Sequence, residues 1–354
     1  MQQQIGASAV LIIVTLLAAS VSLQSCSKAE DASSTVKRAQ ALMIQGKAPA
    51  AESLLNGRLK ILGLSDSVAE QRACLLTVLG RVYLQQEKPM DAEACFLESV
   101  SIDERKFGID SPELIEPLDG LRQAEFRQQK FSPAEREARR VLAIADSHYK
   151  ANDPRLEAAI SNVLAVACIG GKCKDETELD QRLVAIREQI YGPDNQNTRA
   201  ARLILAESYR HKKDYANTVA MLQKNVESCR RAAPAELIAA LNNVAHALVL
   251  AGDSQKALDN AQEALDIEQK SGNKIPQQNL SSLQIKARVL AKQGKYKEAE
   301  KTYAELVEKF KTVFRDKNPH LADILVEYGD VLNRVGKTSL ARQVKTEAES
   351  IYKR

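Results

Sequence analysis

The sequence predicts an all-α fold, a solenoid of tandem helix hairpins, and three observations carry that prediction. Ala, Leu, Gln, Glu, Lys and Arg dominate the 354 residues, while aromatic residues make up 4% and Trp is absent. That composition favours helix over strand. A spacing of 42 residues recurs: Pro112 to Pro154, Pro234 to Pro276, and Gly252 to Gly294 to Gly336, with Pro319 43 residues after Pro276. Between these marks the apolar residues fall three and four apart. Leu283, Val289 and Leu290 precede Gly294-Lys295, and Ala299, Tyr303, Leu306, Val307 and Phe310 follow it. Each unit therefore reads as two helices with one apolar stripe each. Such a hairpin cannot bury its stripe alone, so neighbours must stack.

The first 26 residues lie apart from the repeats as a signal peptide or membrane anchor, followed by a linker at 27–34. Ile5 to Leu23 carries no charge and centres on Ala9-Val10-Leu11-Ile12-Ile13-Val14-Thr15-Leu16-Leu17. That run is long enough for a signal-peptide core and marginal for a membrane span. Leu23-Gln24-Ser25-Cys26 resembles the lipobox of bacterial lipoproteins, although Gln24 departs from it and Met1-Gln2-Gln3-Gln4 supplies no basic residue. The resemblance implies lipidation at Cys26 and a place in the bacterial cell envelope. The alternatives are ordinary cleavage and an uncleaved anchor. With Lys28, Lys37 and Arg38 all after the apolar run, an anchor favours a cytoplasmic repeat domain.

The repeats run from 35 to 354 as seven to eight units, at about 35–67, 68–112, 113–154, 155–197, 198–234, 235–276, 277–319 and 320–354. Ala257, Ala299 and Ala341, each five residues after a turn glycine, let two helix backbones approach closely. Ala50, Ala92 and Ala134 continue the 42-residue spacing in the N-terminal half. The unit at 155–197 lacks this alanine, and Thr218 takes its place in the next. Gly336-Lys337-Thr338-Ser339 has the look of a phosphate loop, but Val331 stands where that motif needs glycine, so Gly336 reads as a hairpin turn.

Leu79-Gly80-Arg81-Val82-Tyr83, followed by Asp91-Ala92-Glu93-Ala94-Cys95-Phe96, resembles the tetratricopeptide pattern, and Gln293-Gly294-Lys295-Tyr296 through Tyr303 matches it most closely. The 42-residue period, with Leu241-Asn242-Asn243-Val244-Ala245 and Ser161-Asn162-Val163-Leu164-Ala165 in first helices, is similar to the kinesin-light-chain subgroup. The resemblance implies a right-handed superhelix whose first helices line a concave groove for other proteins, presented as extended peptides or helix segments. In register, the non-packing first-helix positions carry Arg81, Gln123, Asn162, Glu207, Arg210, Asn243, His246, Gln284 and Arg288. Asparagine amides there suit a ligand backbone, and Arg81, Arg210 and Arg288 suit acidic groups.

Other chemistry is not in view. Charges of both signs are interspersed to a net +4, which is a solvated helical surface and not a nucleic-acid footprint. His148, His211, His246 and His320 are scattered, and no catalytic, metal or nucleotide motif appears, so no enzyme, cofactor or metal site is expected. Excluding Cys26, the five cysteines are odd in number and read mostly as small core residues. Cys168 and Cys173 form a candidate disulfide in an oxidising compartment. The expected function is a membrane-tethered, non-catalytic interaction scaffold. The alternative is an accessory lipoprotein holding a small solute or glycan, which the scarcity of aromatics disfavours. Nothing in the sequence signals an oligomeric state.

Overall fold

A computed structural model of the chain describes residues 30–169, 176–272, 276–314 and 318–352. Cys26 and Cys173 lie outside the described residues. The chain divides into two compact units, one ending at Ile190 and one beginning at Tyr191. The described residues of both are helical and contain no strand. In the first unit the helices are α1 (Glu30–Ile44), α2 (Ala48–Leu62), α3 (Ala69–Gln85), α4 (Pro89–Phe107), α5 (Ile115–Arg127), α6 (Phe131–His148), α7 (Pro154–Ile169) and α8 (Thr177–Tyr191), whose last residue marks the boundary. In the second they are α9 (Gln196–His211), α10 (Tyr215–Cys229), α11 (Pro234–Ala251), α12 (Ser254–Lys270), α13 (Pro276–Lys292), α14 (Tyr296–Phe314), α15 (Pro319–Arg334) and α16 (Thr338–Tyr352). Odd-numbered helices are the first of each hairpin and even-numbered helices the second.

Helix α1 begins at Glu30, inside the stretch predicted as a linker, because Ala32, Val36 and Ala39 form a buried stripe that holds its first turns down. The prolines open first helices where the sequence suggested they close units: Pro154, Pro234, Pro276 and Pro319 are the first residues of α7, α11, α13 and α15. A first-turn proline gives up an N–H that has no helical partner anyway.

The turns explain the second ruler. Gly252, Gly294 and Gly336 sit at φ of 86°, 74° and 82°, the left-handed region that ends a helix in so few residues. Three other hairpins ask the same of residues with a Cβ: Glu87, Gln129 and Lys213 adopt φ of 59°, 61° and 59°. Glycine at any of the three is expected to stabilise its hairpin by about 0.5–1 kcal/mol, read as a higher urea midpoint, since the left-handed strain is worth roughly 1 kcal/mol and glycine's added freedom in the unfolded chain takes part of it back.

The small residue of each second helix packs as its spacing predicts: Ala92, Ala134, Ala257 and Ala299 are fully buried and Ala341 nearly so, with Thr218 in the same place in α10. In the first hairpin the spacing slips by one, since Ala50 is exposed and Ala51 buried. Beside these residues the repeats are tied by a recurring polar clasp. Gln86 and Lys88 reach back to Glu52, Gln128 and Lys130 to Glu93, and Lys337 to Glu300, each a turn residue meeting the carboxylate next to the small residue of the previous second helix. Such partly exposed ion pairs contribute at most about 1 kcal/mol each, so they fix register more than they hold the fold.

Burial does the holding. In the first unit Leu55, Leu75, Leu79 and Val82 form one cluster, and Phe96 a second with Leu84, Leu121 and Ala124. The second unit is cored by Ile238, Leu241 and Val244, and further on by Tyr303, Leu306, Leu321, Leu325 and Leu332. Among the described residues only α11 is long and apolar enough to cross a membrane, and its Ile238, Leu241, Val244, Ala245 and Leu248 lie inside this core.

Candidate functional site

The first helices carry the residues expected to line a groove, and the two units treat them differently. In the first unit they are consumed by the protein itself. Asp119 on α5 accepts hydrogen bonds from Arg122 Nε at 2.8 Å, from Gln123 Nε2 at 2.8 Å and, across to α7, from Asn162 Nδ2 at 3.0 Å. Arg81 on α3 pairs with Glu116 at 2.6 Å. Burial raises the Glu116 carboxyl above the usual range, and Arg81 opposes that. Three of the nine predicted groove residues are therefore parts of an internal network. Asp119 was missed, although it lies one turn before Gln123 on the same helix face.

In the second unit Glu207, Arg210, Asn243, His246, Gln284 and Arg288 come from three successive first helices, α9, α11 and α13. Arg210 Nε donates to Glu207 at 2.7 Å, and His211 Nε2 lies 3.0 Å from the same carboxylate. Arg288 forks onto Glu327 of α15, its Nε 3.0 and 2.9 Å from the two oxygens, and Tyr303 Oη donates to Glu327 at 3.0 Å. The expectation that Arg81, Arg210 and Arg288 stand ready for acidic groups is thus corrected: each already holds a carboxylate of its own chain. Glu327 was missed, and its signal is spacing, 39 residues after Arg288 and nearly one repeat on.

Gln284 also departs from expectation. It is 8% exposed, not a solvated groove position, because Leu280, Phe310 and Ile324 close around that end of α13.

Asn243 and His246, by contrast, stand exposed on α11, one turn apart, and neither hydrogen-bonds to the described chain. The His246 imidazole is held below its usual range by the protein packed about it and then by the charges of Arg288 and Arg210, with Glu207 opposing. His246 is thus near enough to both arginines to feel their charge, and it shares the exposed face of α11 with the unbonded Asn243 amide.

Of the cysteines, Cys95 and Cys229 are free and buried, and burial pushes the Cys95 thiol up to about 12. They are core residues, as predicted. Cys74 and Cys168 are disulfide-bonded, and Cys74 also packs, partly buried, against the core of the first unit, as expected of it. Among the described residues no group of three or more His, Cys, Asp or Glu is placed to hold a metal ion.

Solved structures similar to this chain are repeat proteins. A signal transduction ATPase with a tetratricopeptide repeat sensor from Pyrococcus horikoshii aligns with a TM-score of 0.53 at 12% identity, over 93% of this chain and 54% of that one. The apo form of RapI aligns at 0.51 and 12% identity, over 91% and 97%. Kinesin light chain TPR-like repeats from Podosopora anserina align at 0.44 and 19% identity, over 56% and 96%. At these identities the likeness concerns the fold alone. No curated protein matches the sequence. The sequence profile described as Tetratricopeptide repeat matches residues 71–147, 198–270 and 279–354, more than half of the chain. With the stacked hairpins, their left-handed turns and their buried small residues, that match makes the chain a member of the tetratricopeptide repeat family.

Proposed function

We propose that this protein is a non-catalytic interaction scaffold, held at a membrane through its N-terminus, that captures acidic peptide or helix segments on the first helices of its second unit. The observation that carries the proposal is the strip of Arg210, Asn243, His246 and Arg288. The exposed Asn243 amide offers a donor and an acceptor to a ligand backbone, and His246, held down by burial and then by Arg288 and Arg210, gains a proton more readily once a carboxylate arrives. Family membership supports an interaction role. In the first unit Gln123 and Asn162 are bonded to Asp119, so the residues predicted to line its groove include no unbonded amide like that of Asn243.

The test is binding of a fluorescent acidic peptide. Combining Asn243→Ala with His246→Glu is expected to weaken it at least tenfold, while Lys256→Glu on α12, a second-helix lysine, leaves affinity within twofold. Equal losses from both changes would reduce the interaction to a general charge effect and exclude the strip.

The tether rests on the uncharged Ile5–Leu23 run and the Cys26 motif. Intact mass of protein extracted from membranes is expected to fit a chain beginning at a diacylated Cys26. A mass that includes Met1 to Ser25 would replace the lipid tether with an uncleaved anchor.

A further inference from the structure

The second unit has a half-open pocket of about 160 Å³ between α13, α14 and α15, lined by the buried Leu280, Gln284, Phe310 and Ile324 and by the exposed Phe314 and His320. Its walls are those of a ring site. The Phe310 and Phe314 rings lie 4.9 Å apart and tilted, and the Phe310 and His320 rings 5.7 Å apart. Leu280 and Ile324 supply an aliphatic floor, 5% and 1% exposed. Cavities of about 150 Å³ with Leu, Ile and Phe linings take one benzene-sized molecule.

Gln284 makes this cavity more than an apolar gap. More than nine-tenths of the side chain is buried, and Nε2 has no hydrogen-bond partner. An unpaired buried amide donor is costly to keep in a place where an apolar residue of the same size would pack without penalty. A half-turn of the terminal amide exchanges its nitrogen and oxygen, so either face can be offered to an occupant.

From the volume, the tilted rings and the unsatisfied amide we infer that this cavity is a binding site for a single aromatic ring bearing a hydroxyl, such as the phenol of a tyrosine. The ring stacks among Phe310, Phe314 and His320, and its oxygen accepts from Gln284 Nε2. Two sources share this chemistry, a tyrosine side chain on a bound peptide and a free phenolic solute. The inference does not depend on the acidic-peptide strip, which uses none of these residues.

The experiment is titration of the full chain with p-cresol, toluene and N-acetyl-tyrosinamide, followed through the backbone amide signals of α13 and α14 in NMR spectra and, in the wild type, the Gln284 side-chain amide as well. In the wild type p-cresol is expected to shift those signals and to bind about five- to tenfold tighter than toluene, the ratio one neutral hydrogen bond gives. Gln284→Leu is expected to remove that preference while toluene still binds, which also shows that the cavity survives the substitution. Binding of N-acetyl-tyrosinamide as well as p-cresol supports a tyrosine-bearing partner, and p-cresol alone a free solute. Saturation by none of the three, or a p-cresol preference unchanged in Gln284→Leu, overturns the inference.

Discussion

Replacing Phe96 with alanine is expected to destabilise the first unit by about 3–5 kcal/mol, the cost of emptying a core position that held a whole aromatic ring. Phe96 is fully buried, and two helices make room for it by having no side chain at the point of contact. A Cβ built on Gly80 of α3 would lie 2.7 Å from the ring, and one on Gly120 of α5 only 2.2 Å from it. Gly120→Ala is therefore expected to cost about 1–3 kcal/mol by overpacking, although alanine is the better helix former. Gly329 of α15 supplies the contrast. Its Cβ would meet only the flexible stem of Lys345 at 2.8 Å, so Gly329→Ala is expected to be neutral or stabilising by up to about 1 kcal/mol. Denaturant melts of the three variants check the set. If Phe96→Ala and Gly120→Ala act through one contact, the double variant loses less than the sum of the single losses. Additive losses would mean that ring and glycine are not coupled.

Asp103 and Glu125 are expected to withdraw stability as pH rises from 4 to 8, and Asp103→Asn and Glu125→Gln to abolish their share of that change. Burial lifts the Asp103 carboxyl to about 7, with Glu113, Glu70 and Glu116 adding to the shift and Lys106 opposing it. Burial likewise lifts Glu125 to about 7, helped by Glu137 and Glu93 and opposed by Arg136 and Lys130. One oxygen of Glu125 is buried without a hydrogen-bond partner. Both folded values lie above the free ones of 3.8 and 4.5. Between those limits the folded chain keeps a proton that the unfolded chain has released, so each further unit of pH favours unfolding, and the penalty is complete above about 7. For Asp103 a three-unit shift sets a ceiling of roughly 4 kcal/mol, and about half of that is expected once relaxation and water entry are allowed for. Asp103→Asn should therefore raise stability by about 2 kcal/mol at pH 8 and change it little at pH 4. A variant that gained equally at both pH values would show that the carboxyl is already ionised throughout.

Periodicity made the architecture legible because each repeat must solve one problem, burial of an apolar stripe against a neighbour, with the same residues. Gly294 and Ala299 announce a turn and a close approach wherever they recur. The turns at Glu87, Gln129 and Lys213 were not legible, since a residue with a Cβ in the left-handed region carries no compositional mark. The groove was legible only in part. Register places Arg81, Arg210 and Arg288 on the right face, but whether a guanidinium is free depends on carboxylates such as Glu327, which belong to other helices. Gln284 was misjudged for the same reason: its polarity suggested solvent, and its burial is decided by Phe310 on a neighbouring helix. Asn243 and His246 make no hydrogen bond to the described chain, which helix periodicity alone does not reveal.

The most direct test of the central claim is an NMR titration of the His246 imidazole with and without a saturating acidic peptide. In the free protein its pKa is expected below the ordinary histidine range, under the influence of Arg210 and Arg288. A peptide carboxylate docked near those arginines would stabilise the imidazolium and move the pKa upward, while a basic peptide of the same length would leave it in place. Acidic-peptide binding with no change at His246 would place the interaction elsewhere on the molecule and contradict the account.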